Sequence, residues 1–404
     1  MKSTNVFQGF SLNIYEEEIG ILEKLFSEKG VSKNLIDKEN KILILNQKYV
    51  GYIKTPYRTI VINHKNSEVK FKNILQLYFF VYGHPKKAED AAFGISDSLN
   101  FENIIHMFLD SLDTLFKKGL LTEYINEVEE SEYLRGETDF IQSFKNIQLN
   151  SSDPFVNSVD ILSHDNLLNK IIKKTLNKIL RLQLTTDISK RVNRSLNNMK
   201  NVSDKFGPHE ERNIIFNSKN SYYKETIYFA ILILRELNIS GIGKEKGESF
   251  LIDIDLLFEN FVKKILFYYT DSNSFSDWSE KEHFANYFEN GLEHYKYYLP
   301  DILYNYRISS KKATGVLDVK HKFNSIFSNA DIYQILSYAR ILDSSKAILC
   351  YPSAKKKLPA HLILDNKDFQ VEEINAVFIN ITWNSAIELQ SIIRDFISEI
   401  NDIL

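Results

Sequence analysis

Two segments in the C-terminal third combine carboxylates with a lysine in a pattern suited to phosphodiester hydrolysis. Asp301 follows Pro300 at the start of an apolar, strand-like segment, and Asp318 and Lys320 lie in a second such segment that begins at Gly315. Side chains alternate along a strand, so Asp318 and Lys320 share one face. If the two strands pair as a hairpin, Asp301 and Asp318 can flank one Mg²⁺, which prefers carboxylate and water oxygens. Lys320 can then orient or activate the attacking water.

The D-x-K pattern alone is common, and most isolated copies are solvated surface pairs. A second copy, Asp365 to Lys367, is predicted to cap a turn, since asparagine and charged residues follow one another there. Asp318 and Lys320 differ from this copy in the apolar strand around them and in the upstream Pro-Asp pair. The sequence therefore favours a hydrolytic centre at Asp318.

A predicted helix after residue 250 adds a third carboxylate, Glu259. Three apolar residues lie on its side of the helix, namely Leu256, Val262 and Leu266. A carboxylate at the border of an apolar face is costly unless it is paired or binds a metal. The alternative is a helix-edge glutamate paired with Lys263, four residues on.

A second predicted helix, residues 330–342, carries Gln334 and Tyr338 one turn apart on the same face. Both side chains offer uncharged donors that can reach a water on the metal or a DNA phosphate. The alternative is an amphipathic helix that packs on the sheet.

The composition excludes several kinds of site. The net charge of −3 over 404 residues argues against a positive surface over the whole protein, so a DNA site must be a local patch. Cys350 is the only cysteine, which excludes an intramolecular disulfide and a cluster of thiolate zinc ligands. The N-terminus lacks the apolar segment of a signal peptide, and no stretch has the apolar length of a membrane span, so we expect a cytoplasmic protein.

The order of patterns predicts a mixed α/β protein with three regions. Residues 1–150 read as an α/β region, 151–247 as helix-rich, and 248–404 as a central sheet flanked by helices. The segment Ser240 to Ser249 is the best linker candidate, because it combines three glycines with alternating charges. Basic residues recur between Lys170 and Lys200; they can contact DNA phosphates or an acidic partner, or form the solvated face of two packed helices.

The motifs E-N-F-V, P-D, D-V-K and D-I-Y-Q-I-L-S-Y, in this order, resemble the nuclease domain of the McrC family. The resemblance implies a PD-(D/E)xK fold of the restriction-endonuclease type that cleaves DNA with Mg²⁺. It implies an active site formed by Glu259, Asp301, Asp318, Lys320, Gln334 and Tyr338. The metal ligands would be Asp301, Asp318 and Glu259.

The resemblance extends upstream more weakly. The segment from Lys117 to Asp139 resembles a McrC segment, and so does the helix that carries Asp165 and Asn169. The N-terminal run YVGYIKTPYRTIVINHK is also similar, but it has His64 where the family commonly has proline.

The resemblance implies a partner and a division of labour. McrC proteins work with a McrB-like hexameric AAA+ GTPase, which reads modified DNA, so this chain would cleave double-stranded, methylcytosine-containing DNA and stimulate GTP hydrolysis by the partner. Residues 1–150 would then serve docking. The chain itself is not expected to bind GTP, because the glycine-rich segment before Ser249 lacks the spacing of a phosphate loop.

Two other functions compete with this interpretation. One is a standalone PD-(D/E)xK nuclease of repair or of another phage-defence system, and the other is a binding adaptor that only retains the fold. The intact set of carboxylates and lysine disfavours the adaptor. About 250 N-terminal residues without obvious chemistry favour partner docking over the standalone nuclease.

Overall fold

The computed structural model describes most of the chain. It covers residues 2–9, 11–29, 35–44, 48–82, 101–182, 184–207, 210, 214–240, 246–270, 274–277, 283–289, 292–365 and 370–404. Lys367 of the second D-x-K copy and residues 241–245 of the predicted linker lie outside this range. The chain forms two compact units. The two-segment unit combines residues 1–99 with 241–404, and the middle unit is residues 100–240.

The first segment of the two-segment unit is mixed α/β, as its alternating patterns predict. Its elements are β1 (Lys2–Phe7), β2 (Ser11–Asn13), α1 (Glu16–Lys29), β3 (Ile36–Asp37), β4 (Ile42–Ile44), β5 (Tyr49–Lys54), β6 (Arg58–Asn63) and α2 (Phe71–Tyr82). β1 runs parallel to β6, and β6 pairs antiparallel with β5. The apolar side of α1 is buried with this sheet, where Leu22 and Leu25 are fully enclosed.

The middle unit joins a helical bundle to a small sheet. Its elements are α3 (Phe101–Lys118), β7 (Glu123–Ser131), β8 (Glu137–Asp139), α4 (Phe140–Gln148), β9 (Phe155–Ser163), α5 (Leu167–Leu180), α6 (Thr186–Asn198), a 3₁₀ turn (Ser221–Tyr223), α7 (Lys224–Glu236) and β10 (Leu237–Ser240). Asn169 is buried in this unit: its amide donates to the Leu121 carbonyl at 3.0 Å, and its Oδ1 accepts from the Tyr223 hydroxyl at 2.7 Å. Asn169 therefore has a structural role.

The second segment of the two-segment unit contains the predicted nuclease sheet. Its elements are β11 (Gly247–Asp253), α8 (Ile254–Tyr268), β12 (Phe275–Asp277), β13 (His283–Glu289), β14 (Leu292–Tyr297), β15 (Ile302–Tyr304), β16 (Gly315–Val319), α9 (Asn329–Ile341), β17 (Lys346–Ser353), β18 (Ala360–Ile363), β19 (Glu373–Asn380) and α10 (Ala386–Ile403). The six-stranded sheet has the order β12-β15-β16-β17-β19-β18. This mixed sheet with flanking helices confirms the predicted fold class.

The middle of that sheet is buried on both faces. β16, β17 and β19 are parallel neighbours, and their residues are almost continuously apolar and enclosed. Such runs are typical of strands covered by helices on both sides. Asp318 lies in this apolar setting with only 1% of its surface exposed, which a solvated surface pair would not show.

β11 belongs to the N-terminal sheet. It pairs antiparallel with β5, from Glu248 opposite Lys54 to Asp253 opposite Tyr49. The contacts therefore group the two ends of the chain, whereas the functional boundaries at residues 150 and 247 stay a prediction.

Two local expectations are wrong. The strand-like segment expected from Asp301 onward forms a strand only over Ile302–Tyr304, because Asn305 adopts a positive φ of 49° and its N–H donates to the Ser274 carbonyl. Leu256, expected on the buried side of α8, is 48% exposed, while Val262 and Leu266 are fully buried. No helix in the described part of the chain is long and apolar enough to cross a membrane.

Candidate active site

The antiparallel pairing of β15 and β16 brings the two motif aspartates together. Ile302 lies opposite Leu317, so Asp301 and Asp318 face each other one residue beyond the paired run. Asp301 Oδ2 accepts a hydrogen bond of 2.7 Å from the Val319 N–H, which ties the first carboxylate to the end of the second strand. The predicted hairpin arrangement is confirmed.

Lys320 follows β16 directly and contacts the second carboxylate. Its Nζ lies 2.6 Å from Asp318 Oδ2. Its backbone N–H donates to the Cys350 carbonyl at 2.9 Å, which extends the parallel pairing with β17 and fixes the direction of the side chain. The sheet thus holds the ammonium beside the carboxylate pair.

The two carboxylates are held in an unfavourable environment. Burial raises the pKa of Asp301 to about 7, and the negative charges of Asp318 and Glu259 act in the same direction. Burial also raises the pKa of Asp318, and the Lys320 ammonium offsets this only in part. Burial disfavours the charged form of Lys320, yet the Asp318 carboxylate outweighs it and raises the pKa of that ammonium. A pair of clustered, destabilised carboxylates is typical of a functional centre.

Glu259 of α8 belongs to the same cluster, since its charge acts on Asp301. Its Oε1 also lies 2.8 Å from Lys263 Nζ, and this ammonium contacts Asp277 at 2.8 Å as well. The alternative ion pair is therefore present. Glu259 keeps 29% of its side chain exposed, so it borders the site from the solvent side.

Gln334 and Tyr338 connect α9 to Lys320. Lys320 Nζ donates to Gln334 Oε1 at 2.8 Å, and Gln334 Nε2 donates to the Tyr338 hydroxyl at 2.9 Å. The Tyr338 ring is buried in the core between α9 and the sheet, and burial raises the pKa of its hydroxyl. α9 therefore packs on the sheet, as expected for an amphipathic helix, and its Gln334 also holds the Lys320 ammonium.

The donor set fits a divalent cation such as Mg²⁺. Asp301 and Asp318 offer hard oxygens at one point, and a cation there would relieve the repulsion that raises the pKa of Asp301. Within the described residues, no three His, Cys, Asp or Glu side chains already form a metal-binding group. Two of the carboxylates form ion pairs with lysines: Lys320 contacts Asp318, and Lys263 contacts Glu259.

A buried aspartate that sequence reasoning missed anchors α9. Lys322 Nζ lies 2.8 Å from both carboxylate oxygens of Asp331. The Tyr351 hydroxyl of β17 donates to Asp331 Oδ2 at 3.4 Å. Asp331 is the first acidic residue of the D-I-Y-Q run, and its buried ion pair sets the position of the helix that carries Gln334.

A histidine pair links the site to the N-terminal sheet. His64 Nε2 and His321 Nε2 are 3.2 Å apart and both rings are buried. Lys65 Nζ donates to the His321 carbonyl at 3.0 Å. Burial lowers the pKa of His64 to about 3 and that of His321 as well, so both rings are neutral at ordinary pH. The residue that departs from the family pattern, His64, therefore packs against the neighbour of Lys320.

The comparison with protein families decides the assignment. A family model described as the McrBC 5-methylcytosine restriction system component matches residues 44–352, well over half of the chain. The chain belongs to this McrBC family. All six predicted site residues lie within the matched range. A comparison with curated proteins finds no match for this McrBC component.

One solved structure supports the fold of this McrBC component. The chain is similar to one in a half-complex from a tetradecameric assembly of Thermococcus gammatolerans McrB AAA+ hexamers with bound McrC, with 18% identity, a TM-score of 0.57 and 100% coverage of both chains. It also matches a chain of the Thermococcus gammatolerans McrBC complex, with 19% identity, a TM-score of 0.41 and coverage of 66% of this chain and 88% of that one. The first likeness shows that the fold extends over the full chain.

Proposed function

We propose that this chain is the McrC-type nuclease subunit of its restriction system, a Mg²⁺-dependent endonuclease for DNA that contains methylcytosine. The observation that carries the proposal is the carboxylate pair of Asp301 and Asp318 with the Lys320 ammonium 2.6 Å from Asp318. Reconstitution with a McrB-type partner, GTP and methylated duplex tests it: we expect cleavage only with all components present. Cleavage by this chain alone at the same rate would favour the standalone nuclease.

The carboxylates and the lysine of the site have different proposed roles. Asp301 and Asp318, with Glu259 at the border, would hold Mg²⁺, which stabilises negative charge on a phosphate. Lys320, held by Gln334, orients the attacking water and adds positive charge next to the scissile phosphate. Tyr338 keeps Gln334 in the rotamer that reaches Lys320.

An exposed apolar surface on the middle unit supports partner docking. Only Ser143 of α4 is buried, while its apolar residues face solvent. The α4 surface consists of Phe140, Ile141, Phe144 and Ile147. Exposed apolar patches of this kind mark interaction sites. We assign this surface to a McrB-like AAA+ GTPase ring, which binds the GTP, since the chain of similar fold comes from an assembly of McrB AAA+ hexamers with bound McrC.

Gln334→Ala is expected to slow cleavage about 10- to 100-fold, because a hydrogen bond to a charged group contributes about 1.5–3 kcal/mol. Tyr338→Phe removes a neutral hydrogen bond and should cost only about 2- to 10-fold. The measurement is the single-turnover cleavage rate of the assembled complex. Tyr333→Phe, on the exposed side of the same helix, is the control and should match the wild type. Equal rates for Gln334→Ala and the wild type would contradict the role given to Gln334.

Asp301→Asn is expected to stabilise the metal-free protein at high pH. The folded-state pKa of Asp301 is raised, so the wild type loses stability as the pH rises from the ordinary carboxyl range through about 7, and the amide removes this loss. Thermal unfolding in chelator should show a higher Tm for the variant at about pH 8 and little difference at about pH 3, below the unfolded pKa. Each kcal/mol corresponds to roughly 2–4 °C.

Mg²⁺ should raise the Tm of the wild type and leave that of Asp301→Asn nearly unchanged. A lower Tm of the variant at both pH values would show that Asp301 is a structural carboxylate without a metal role.

A further inference from the structure

The middle unit contains a cleft with an excess of positive charge. Its volume is about 690 Å³, and α5, α7 and the loop at residues 204–207 form its walls. Five basic side chains line it: Lys174, Lys178, Arg181, Lys205 and Arg235. Among the described lining residues Asp204 is the sole carboxylate, and it accepts a hydrogen bond of 2.8 Å from Asn177.

Other basic residues of the same sequence run have structural contacts. Arg191 lies 2.7 Å from both Asp110 and Asp113, and Lys170 lies 3.2 Å from Asp165. Lys173 donates to the Met199 carbonyl at 3.0 Å. Arg191, Lys170 and Lys173 therefore serve contacts within the middle unit away from the cleft, whereas Lys174 and Lys178 of the same run line the cleft.

Helix dipoles account for only part of the cleft. Lys178 and Arg235 lie in the last turns of α5 and α7 and Arg181 caps α5, where cations offset exposed carbonyls. The Lys178 ammonium donates to the Leu234 carbonyl at 2.7 Å in this way. Lys174 lies further back in α5 and Lys205 lies in the loop, so the dipoles do not explain them.

We propose that this cleft binds the phosphate backbone of a DNA strand and so gives the nuclease a second hold on its substrate. Lys174 of α5 and Lys205 of the loop both line the cleft, and both attract an anion that enters it. The cleft also offers an apolar floor of Ile231 and Leu234 and the Phe206 ring, which carries the Lys174 ammonium 4.0 Å from its centre. Cations next to aromatic and apolar surface suit a sugar–phosphate chain better than inorganic phosphate alone. The inference rests on the proposed function.

The test is DNA binding by the full chain, measured by fluorescence anisotropy in chelator so that cleavage plays no part. Lys174→Glu with Lys205→Glu is compared with Lys190→Glu plus Lys200→Glu, an equal charge change on exposed lysines of the same unit outside the cleft. We expect the cleft variant to bind labelled duplex at least about tenfold more weakly and its slope of log K against log salt to fall by about 1 to 2. The control should stay within about twofold of the wild type.

The inference is overturned if the cleft variant binds DNA with wild-type affinity, whether or not it loses the McrB-type partner, or if the control loses affinity equally. If the glutamate variant unfolds, Lys174→Gln with Lys205→Gln replaces it and should show a smaller loss of DNA affinity. Unchanged DNA affinity of this glutamine variant would also overturn the inference. Deoxycytidine monophosphate should compete only weakly with the labelled duplex. If it competed more strongly than an unlabelled oligonucleotide, the cleft would be a site for a free nucleotide, and the proposed binding of a DNA strand would be wrong. Failure of the proposed function would be seen in a different assay, as absence of DNA cleavage by the assembled wild-type complex.

Discussion

Asp318→Asn is expected to reduce DNA cleavage by the assembled complex by about 10³-fold or more, because losing the charge of a proposed metal ligand would remove several kcal/mol of transition-state stabilisation. The amide keeps the size of the side chain in a fully buried position, so the fold should remain. It also leaves the Lys320 ammonium without its 2.6 Å carboxylate partner. Cleavage of a methylated duplex in single turnover measures the loss.

Asp365→Asn is the matched control for this prediction. Asp365 begins the second D-x-K copy and lies exposed after β18, which is the edge strand of the sheet. The same chemical change there should leave cleavage within about twofold of the wild type, as for most surface substitutions. A comparable loss in both variants would mean that neither D-x-K copy is the catalytic one.

Ile141→Asp with Phe144→Asp is expected to abolish coupling to the McrB-type GTPase. Both side chains lie on the α4 surface, with 75% and 59% of their area exposed, so aspartate there should not disturb the core. Buried apolar residues at an interface centre contribute about 2 kcal/mol or more each, so the double variant should bind at least about 10²-fold more weakly. GTPase stimulation and DNA cleavage should then fall together.

The control carries the same change on the two-segment unit. Leu358→Asp with Ile387→Asp replaces two residues that are 76% and 80% exposed, and it should keep both activities. Co-purification with the partner separates the outcomes. An α4 variant that still forms the complex and stimulates GTP hydrolysis would remove the docking role from this surface.

Local patterns in the sequence predict the parts of the site that lie on single elements. The apolar strand around Asp318 and the helical spacing of Gln334 and Tyr338 are visible within short windows, and the structure has β16 and α9 within a residue or two of the expected bounds. The hairpin also follows from local order, since β15 and β16 are neighbours in sequence.

Long-range contacts could not be predicted in the same way. β11 pairs with β5 almost two hundred residues upstream, and His64 contacts His321 across 257 residues. Periodicity reports which face of an element is apolar but not which distant element covers it. The N-terminal run therefore gives no sign that Lys65 contacts His321, the residue next to Lys320, and its docking role stays a prediction.

The sequence predicts only part of the basic cleft. The run from Lys170 to Lys200 is clearly basic, but the sequence does not show that Lys205 and Arg235 join Lys174 and Lys178 while Arg191 turns to Asp110 and Asp113. A run of basic residues shows that a segment is rich in cations. Which of these cations lie close together depends on how α5 packs against α7.

The most direct test of the nuclease assignment measures DNA cleavage and GTP hydrolysis in the same reaction, for complexes assembled with the wild type or with Asp318→Asn. We expect GTP hydrolysis to stay at the wild-type rate while Mg²⁺-dependent cleavage disappears, because the role proposed for the carboxylate is in cleavage and not in docking. Cleavage by the Asp318→Asn complex at the wild-type rate, with GTP hydrolysis unchanged, would contradict the assignment of the active site to Asp301, Asp318 and Lys320.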